Sequence, residues 1–255
     1  MKNSLLLAAC LLSAFLSLAQ EEEDVGPINT DRPVQSETPN IVPRNYLQAE
    51  MGLNHIKSGY YYNLDGPNLL LKYGLVKDLE LRFSNNYISN NRKIRNKYAE
   101  VASGLDMSRL GMKYKIFHQD DDGLDMTISA HTYVDLFADD NFAYKEGNAQ
   151  FRLTTCKTIS GNWYGIVGVE YSYLAIADDQ AFYTLQTGTS LAEGLTGIIE
   201  YYGYYGSGVL QHAVNAGLVY LLTDNHQIDL SGGAGLGDNY YDYYLQVGYS
   251  CRIGL

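Results

Sequence analysis

Ser129, His131 and Asp135 are the residues whose types and spacing come nearest to hydrolytic chemistry. A nucleophile, its base and the group that orients the base must meet within hydrogen-bond reach. In an extended chain Ser129 and His131 share a face, roughly 7 Å apart, and Asp135 lies further along it. That spacing permits a catalytic set without specifying one, and ordinary polar wall residues account for it better. His118 and His212 fall near the ends of patterned segments, and no His pair has metal-ligand spacing. Gly232-Gly233-Ala234-Gly235 is followed by no helix, so it is a glycine cluster in a strand and not a phosphate loop. No catalytic residue, metal ligand or cofactor-binding residue is assigned; the expectation is a protein that is not an enzyme and carries no cofactor.

A larger set of charged residues follows a rule. Glu50, Lys72, Glu80, Arg82, Lys113, Lys115, Asp125, Asp135, Arg152, Glu170, Glu200, Asp229 and Arg252 all stand at positions opposite in parity to the apolar residues around them. His131 shares that parity. Seven acids face six bases, so the set predicts ion pairs between neighbouring strands rather than one strong field. One reading is a structural network that fills a narrow interior. The other is a transverse field that selects polar solutes in a water-filled pore.

The elements that would position these groups are strands. From Tyr46 onward the chain alternates with period two in twelve segments, each about as long as a tilted strand needs to cross a bilayer. The first carries Leu47, Ala49, Met51 and Leu53 on its apolar face. The fifth carries Leu124, Met126, Ile128, Ala130, Val134 and Leu136. The seventh carries Trp163, Val167, Val169, Tyr171 and Tyr173. The last carries Tyr243, Leu245, Val247, Tyr249, Cys251, Ile253 and Leu255. Lys157 alone puts a charge on an apolar face, near a segment end where its stem can snorkel.

A soluble sandwich also alternates, but the connections here differ in kind. Val76-Lys77-Asp78, Asp120 to Gly123, Ser160-Gly161-Asn162, Ala192-Glu193-Gly194 and Thr223-Asp224-Asn225 are tight turns. Between them lie Lys57 to Gly66, Ser89 to Gly104, Phe137 to Gly147, Ala177 to Gln180, Gly206 to Val209 and Gly237 to Asp242, several of them longer. Short periplasmic turns and longer outer loops are the membrane-barrel arrangement. Tyrosine is abundant, 24 residues against 7 Phe and 1 Trp, and the aromatics gather toward the two ends of the segments as interfacial girdles do. The fold class expected is therefore all-β: a closed, antiparallel, up-and-down transmembrane β-barrel of about twelve strands over residues 46–255. An even count places both termini in the periplasm. Closure is required because an open edge in lipid leaves backbone groups unpaired. Slightly negative mean hydropathy does not argue against this, since it averages over both faces of each strand.

Residues 1–19 read as a signal peptide: Lys2, an apolar run from Leu5 to Leu18, and small residues at Ser17 and Ala19 before a cut at Gln20. A lipoprotein reading at Leu7-Ala8-Ala9-Cys10 would leave only a stub of apolar residues before Cys10 and an apolar segment after it, exposed on the mature chain. Without the leader, 17 basic residues (the 18 minus Lys2) stand against 29 acidic ones, net −12, which argues against nucleic acid. Cys156 and Cys251 fall on opposite faces of different strands, a poor geometry for a disulfide.

Residues 20–45 break the alternation. Glu21-Glu22-Glu23-Asp24 is an acidic run, and three of the five prolines follow in Thr30-Asp31-Arg32-Pro33-Val34-Gln35-Ser36-Glu37-Thr38-Pro39 and Ile41-Val42-Pro43. This stretch, together with Tyr73-Gly74-Leu75-Val76-Lys77-Asp78-Leu79-Glu80-Leu81-Arg82, resembles the bacterial outer-membrane family described as "putative MetA-pathway of phenol degradation", also labelled "transporter". The resemblance implies an outer-membrane barrel with a role in small-molecule passage, and brings no catalytic residues with it. The segment from Thr30 to Pro39 is expected to be a salt-bridged lead-in at the periplasmic mouth. The alternative is a plug, with Arg32 reaching Glu50 or Glu80. A narrow channel or uptake protein for small solutes in the cell outer membrane is the function expected. A non-conducting structural or binding barrel is the first alternative, and a barrel-embedded hydrolase the second. The expected partners are outer-membrane lipid, the barrel-assembly machinery and a small-molecule solute.

Overall fold

A computed structural model describes residues 25–94, 97–118, 124–143, 148–174, 178–237 and 241–255. The expected signal peptide, the acidic run Glu21–Asp24, the expected turn Asp120 to Gly123 and parts of several expected outer loops lie outside the described residues. The strands are β1 (Tyr46–Ser58), β2 (Tyr61–Val76), β3 (Leu79–Ile94), β4 (Lys97–Leu105), β5 (Ser108–Phe117), β6 (Leu124–Val134), β7 (Asn148–Ser160), β8 (Trp163–Leu174), β9 (Gln180–Ala192), β10 (Leu195–Gly206), β11 (Val209–Thr223), β12 (His226–Leu236) and β13 (Tyr243–Gly254). Each pairs antiparallel with its neighbour. The sheet closes where β1 meets β13, from Tyr46 opposite Gly254 to Lys57 opposite Tyr243.

Thirteen strands make twelve staves. One edge of β3 pairs with β5 along Leu79–Ser84 and with β4 along Tyr87–Ile94. Only Asp106 and Met107 separate β4 from β5, so the two continue one another in a closed twelve-strand barrel.

The barrel is packed inside out relative to a soluble protein. Along β13 exposed and buried positions alternate almost to the carboxyl end. Val169 on β8 is 51% exposed on the outer face, while Glu80 on the inner face of β3 is fully buried. Polar groups go inside because the outer face must dissolve in hydrocarbon, where an unpaired polar group costs several kcal/mol.

Two expected outer loops are strands. β1 runs to Ser58 and β2 resumes at Tyr61, so Lys57 to Gly66 is largely hairpin; β3 and β4 likewise take up Ser89 to Gly104. Above the membrane both faces of a strand meet water. Asn90 and Asn91 then carry no apolar alternation, although Tyr61, Tyr87, Tyr98 and Val101 keep high strand propensity. Gly206 to Val209 is a two-residue turn, with Ser207 and Gly208 both at positive φ as such a hairpin needs. Asp135 is a correction: β6 ends at Val134, and Asp135 lies beyond it, exposed, not on the inner wall.

Candidate functional site: the barrel lumen

Residues 28–43 lie inside the barrel. The segment enters at the end that holds the short turns, where the Ile28 amide donates to the carbonyl of Asp224 and Arg252 donates to the carbonyl of Gly26. It climbs past Gln227, which donates to the Thr30 hydroxyl, and Gln48, which donates to the Asn29 carbonyl. The Pro33 carbonyl accepts from Ser231 and Gln246. Its deepest point is Gln35-Ser36, whose amides donate to the Glu200 carboxylate at 2.9 and 2.6 Å. It then returns, and the Val42 amide meets Glu80 at 2.9 Å just before β1 begins. Three prolines keep this stretch out of any sheet, so its main-chain donors and acceptors need side-chain partners when buried. Lumen residues from strands all round the wall supply them.

The centre of this docking is Asp31. Lys72 on β2 stands directly opposite Arg82 on β3, and two like charges so placed repel. The Asp31 carboxylate sits between them, 3.0 Å from Lys72 and 2.7 Å from Arg82, with Lys113 of β5 at 3.5 Å. The Thr38 amide also donates to it at 2.8 Å, which folds the segment back on itself. Glu50 pairs with Lys72 at 2.6 Å, and Glu80 with Arg82 at 3.1 Å and Lys113 at 3.7 Å. Glu37 adds a second carboxylate, 3.3 Å from Arg82 and 3.9 Å from Arg109. Burial alone would raise the Asp31 and Glu37 pKa values. The cations outweigh it, Lys113, Lys72 and Arg82 for Asp31 and chiefly Arg82 for Glu37, and hold both carboxyls below the ordinary range.

Arg32 turns the other way and pairs with Asp229 on β12 at 3.3 Å, not with Glu50 or Glu80. Its guanidinium lies against Gly52 of β1 and Gly248 of β13, where any side chain would collide with it. The N-terminal motif residues Thr30, Asp31, Pro33, Glu37 and Pro39 are buried. A lead-in confined to the mouth is therefore not what the structure shows. The carboxylates Asp31 and Glu37 reach wall cations that lie well inside.

The other expected wall residues divide by depth. Lys115 and Asp125 pair at 2.7 Å, and Arg252 donates to Asn225 at 3.0 Å, toward the short-turn end. Arg152 and Glu170 lie 3.7 Å apart across β7 and β8, and Arg152 also donates to the Gln35 carbonyl. Ser129 donates to Glu37 at 3.3 Å, while His131 Nδ1 lies 2.9 Å from Arg109. With Asp135 outside, Ser129 and His131 are not assembled as a nucleophile and base. A cavity of about 280 Å³ remains beside the segment, bordered by Arg32, Val34, Asn68, Arg109 and His131. Toward the long-loop end an aromatic cluster that the sequence reasoning missed narrows the interior. Phe182, Tyr202 and Ala213 are buried there, with the Tyr204 ring tilted against Phe182 at 4.4 Å between centroids and Tyr241 packed alongside.

A family model described as "Putative MetA-pathway of phenol degradation" matches residues 30–253. None of the curated proteins matches the sequence. Among solved structures, the COG4313 outer membrane channel from Pseudomonas putida F1 is similar over 87% of this chain and 100% of its own, with a TM-score of 0.72 and 11% identity. The KdgM porin is similar over 79% of this chain and 98% of its own (TM-score 0.56, 10% identity), and the NanC porin over 81% and 100% (TM-score 0.54, 11% identity). At these identities the likeness is one of fold.

Proposed function

This chain belongs to the family described as "Putative MetA-pathway of phenol degradation", and from that premise we propose that it is an outer-membrane channel for small solutes, closed at rest by its own residues 28–43. The observation that carries the reading is the position of Asp31 between the opposed cations Lys72 and Arg82. Like charges in register repel, and the carboxylate that answers them comes from a segment that is not part of the wall. Leaving the lumen would expose a cationic stripe of Lys72, Arg82 and Lys113 facing a band that includes Glu200 and Asp229, a transverse field for polar solutes. Channels and porins among the similar folds support the reading, as does the apolar outer wall. On this reading the short turns and both termini face the periplasm, and the partners are outer-membrane lipid, the barrel-assembly machinery and a small polar solute.

The filled lumen also favours a second reading, a non-conducting barrel. Single-channel recording of the full chain in planar bilayers separates the two. The channel reading expects discrete openings that lengthen in Glu200→Gln, which weakens the hold on Gln35 and Ser36. Silence in both proteins would support the non-conducting barrel.

A further inference from the structure

The outer wall carries an apolar groove of about 490 Å³. Strand registers explain its course. Thr187 on β9 lies opposite Ile199 on β10, Ile199 opposite Ala216 on β11, Ala216 opposite Gly232 on β12, and Gly232 opposite Leu245 on β13. The small residues in this row leave a trough that crosses the strands, with Trp163, Leu218 and Leu230 as its walls. Followed the other way, the same row passes from Thr187 to Gly165 on β8, to Lys157 on β7 and to Leu124 at the start of β6. Lys157 is the charged residue that the alternation puts on the apolar face. It is exposed, and makes no ion pair among the described residues. It lies three residues from the short-turn end of β7, beside Trp163 at the start of β8.

The dimensions fit one lipid leaflet. Five strand spacings from β8 to β13 cover about 24 Å. In a barrel whose strands tilt by about 40°, a row perpendicular to them climbs roughly 15 Å, half of a hydrocarbon core of about 30 Å. An apolar trough one leaflet long, with an indole at its interfacial end and an exposed ammonium one strand beyond it, matches a phospholipid in shape and polarity.

We propose that this groove binds one glycerophospholipid of the leaflet at the short-turn end, its phosphate on the Lys157 ammonium and one acyl chain in the trough over Ala216 and Gly232. Lipopolysaccharide belongs to the opposite leaflet on the orientation proposed above, and is not the occupant.

Native mass spectrometry tests this with full-length protein stripped of lipid by detergent exchange and titrated with phosphatidylglycerol. The wild type should show one saturable bound lipid. Ala216→Phe fills the trough and should weaken that binding about tenfold or more. Lys157→Gln should weaken it about two- to fivefold, the range of an exposed ion pair. Val169→Phe, on the outer face away from the groove, should bind as the wild type does. A shift on unheated gels confirms that each variant is folded, and Lys157→Gln decides alone if Ala216→Phe does not fold. Binding equal to wild type in the folded groove variants, absence of a saturable site, or a lipid-free dimer mass would overturn the proposal.

Discussion

Asp31→Asn perturbs the docked segment at its centre while removing only a charge. In the native lumen the carboxylate lies 3.0 Å from Lys72, 2.7 Å from Arg82 and 3.5 Å from Lys113. At an effective dielectric near 20, each contact of about 3 Å carries roughly 5 kcal/mol of gross attraction. Much of that offsets desolvation, and removing one partner of a buried pair costs about 3–5 kcal/mol net. The loss falls on docking rather than on the barrel, whose strands stay paired. A cost of 3 kcal/mol raises the undocked population about a hundredfold. The assay places a cysteine at Val34, in a background with Cys156→Ser and Cys251→Ser so that the native free thiols stay silent. Labelling by a maleimide too bulky to enter the docked lumen then reports undocking, because Val34 is half-buried inside the barrel while the segment is docked. The expected result is labelling about a hundredfold faster in Asp31→Asn, with an unchanged gel shift and strand-rich circular dichroism. Equal rates in the two folded proteins would refute the view that Asp31 holds the segment in place.

Other consequences can be checked separately. Val169→Arg puts a charge on the lipid face and should cost about 2–4 kcal/mol of barrel stability in bilayers; Glu170→Gln paired with Arg152→Gln should leave folding intact and change ion preference in conductance measurements. Asp31 and Glu37 are held below the ordinary carboxylate range, so their contribution to docking is fully present at neutral pH and is lost as pH falls past about 4 toward their lowered values. The share of docking held by Asp31 and Glu37 should therefore be lost below about pH 4, and open probability in planar bilayers should rise there; a flat response below pH 4 would point away from these two carboxylates. Asp135→Asn, outside the wall, should change stability by less than about 0.5 kcal/mol in a denaturant titration and leave selectivity as it is.

Much of the barrel is legible in the chain because lipid imposes one rule on every crossing strand. Val169 and Glu170 are neighbours in sequence and face opposite media, and the same parity places Lys72, Arg82, Lys113 and Glu200 inside. The rule stops where lipid stops. Asn90 and Asn91 break the alternation, so the far end of β3 and most of β4 read as a loop. Parity also says nothing about register. The seven acids and six bases look balanced as a list, yet a register shift after Gly74 sets Lys72 against Arg82 and concentrates cations on β2, β3 and β5. That local excess is what Asp31 and Glu37 answer. Two features could have signalled an inserted segment in place of the lead-in expected at the mouth: proline-rich main chain between Thr30 and Pro43 that no sheet could satisfy, and inward glycines, Gly52 and Gly248, that leave room for the Arg32 side chain.

The account rests on residues 28–43 being the closed state of a conducting barrel. Single-channel recording of a chain lacking residues 28–39, beside the full chain in the same bilayers, tests that most directly. The shortened chain should run as a heat-modifiable barrel and conduct persistently, at a level the full chain reaches only in brief openings. A shortened chain that folds and stays silent, or whose currents match those of the full chain, would contradict it.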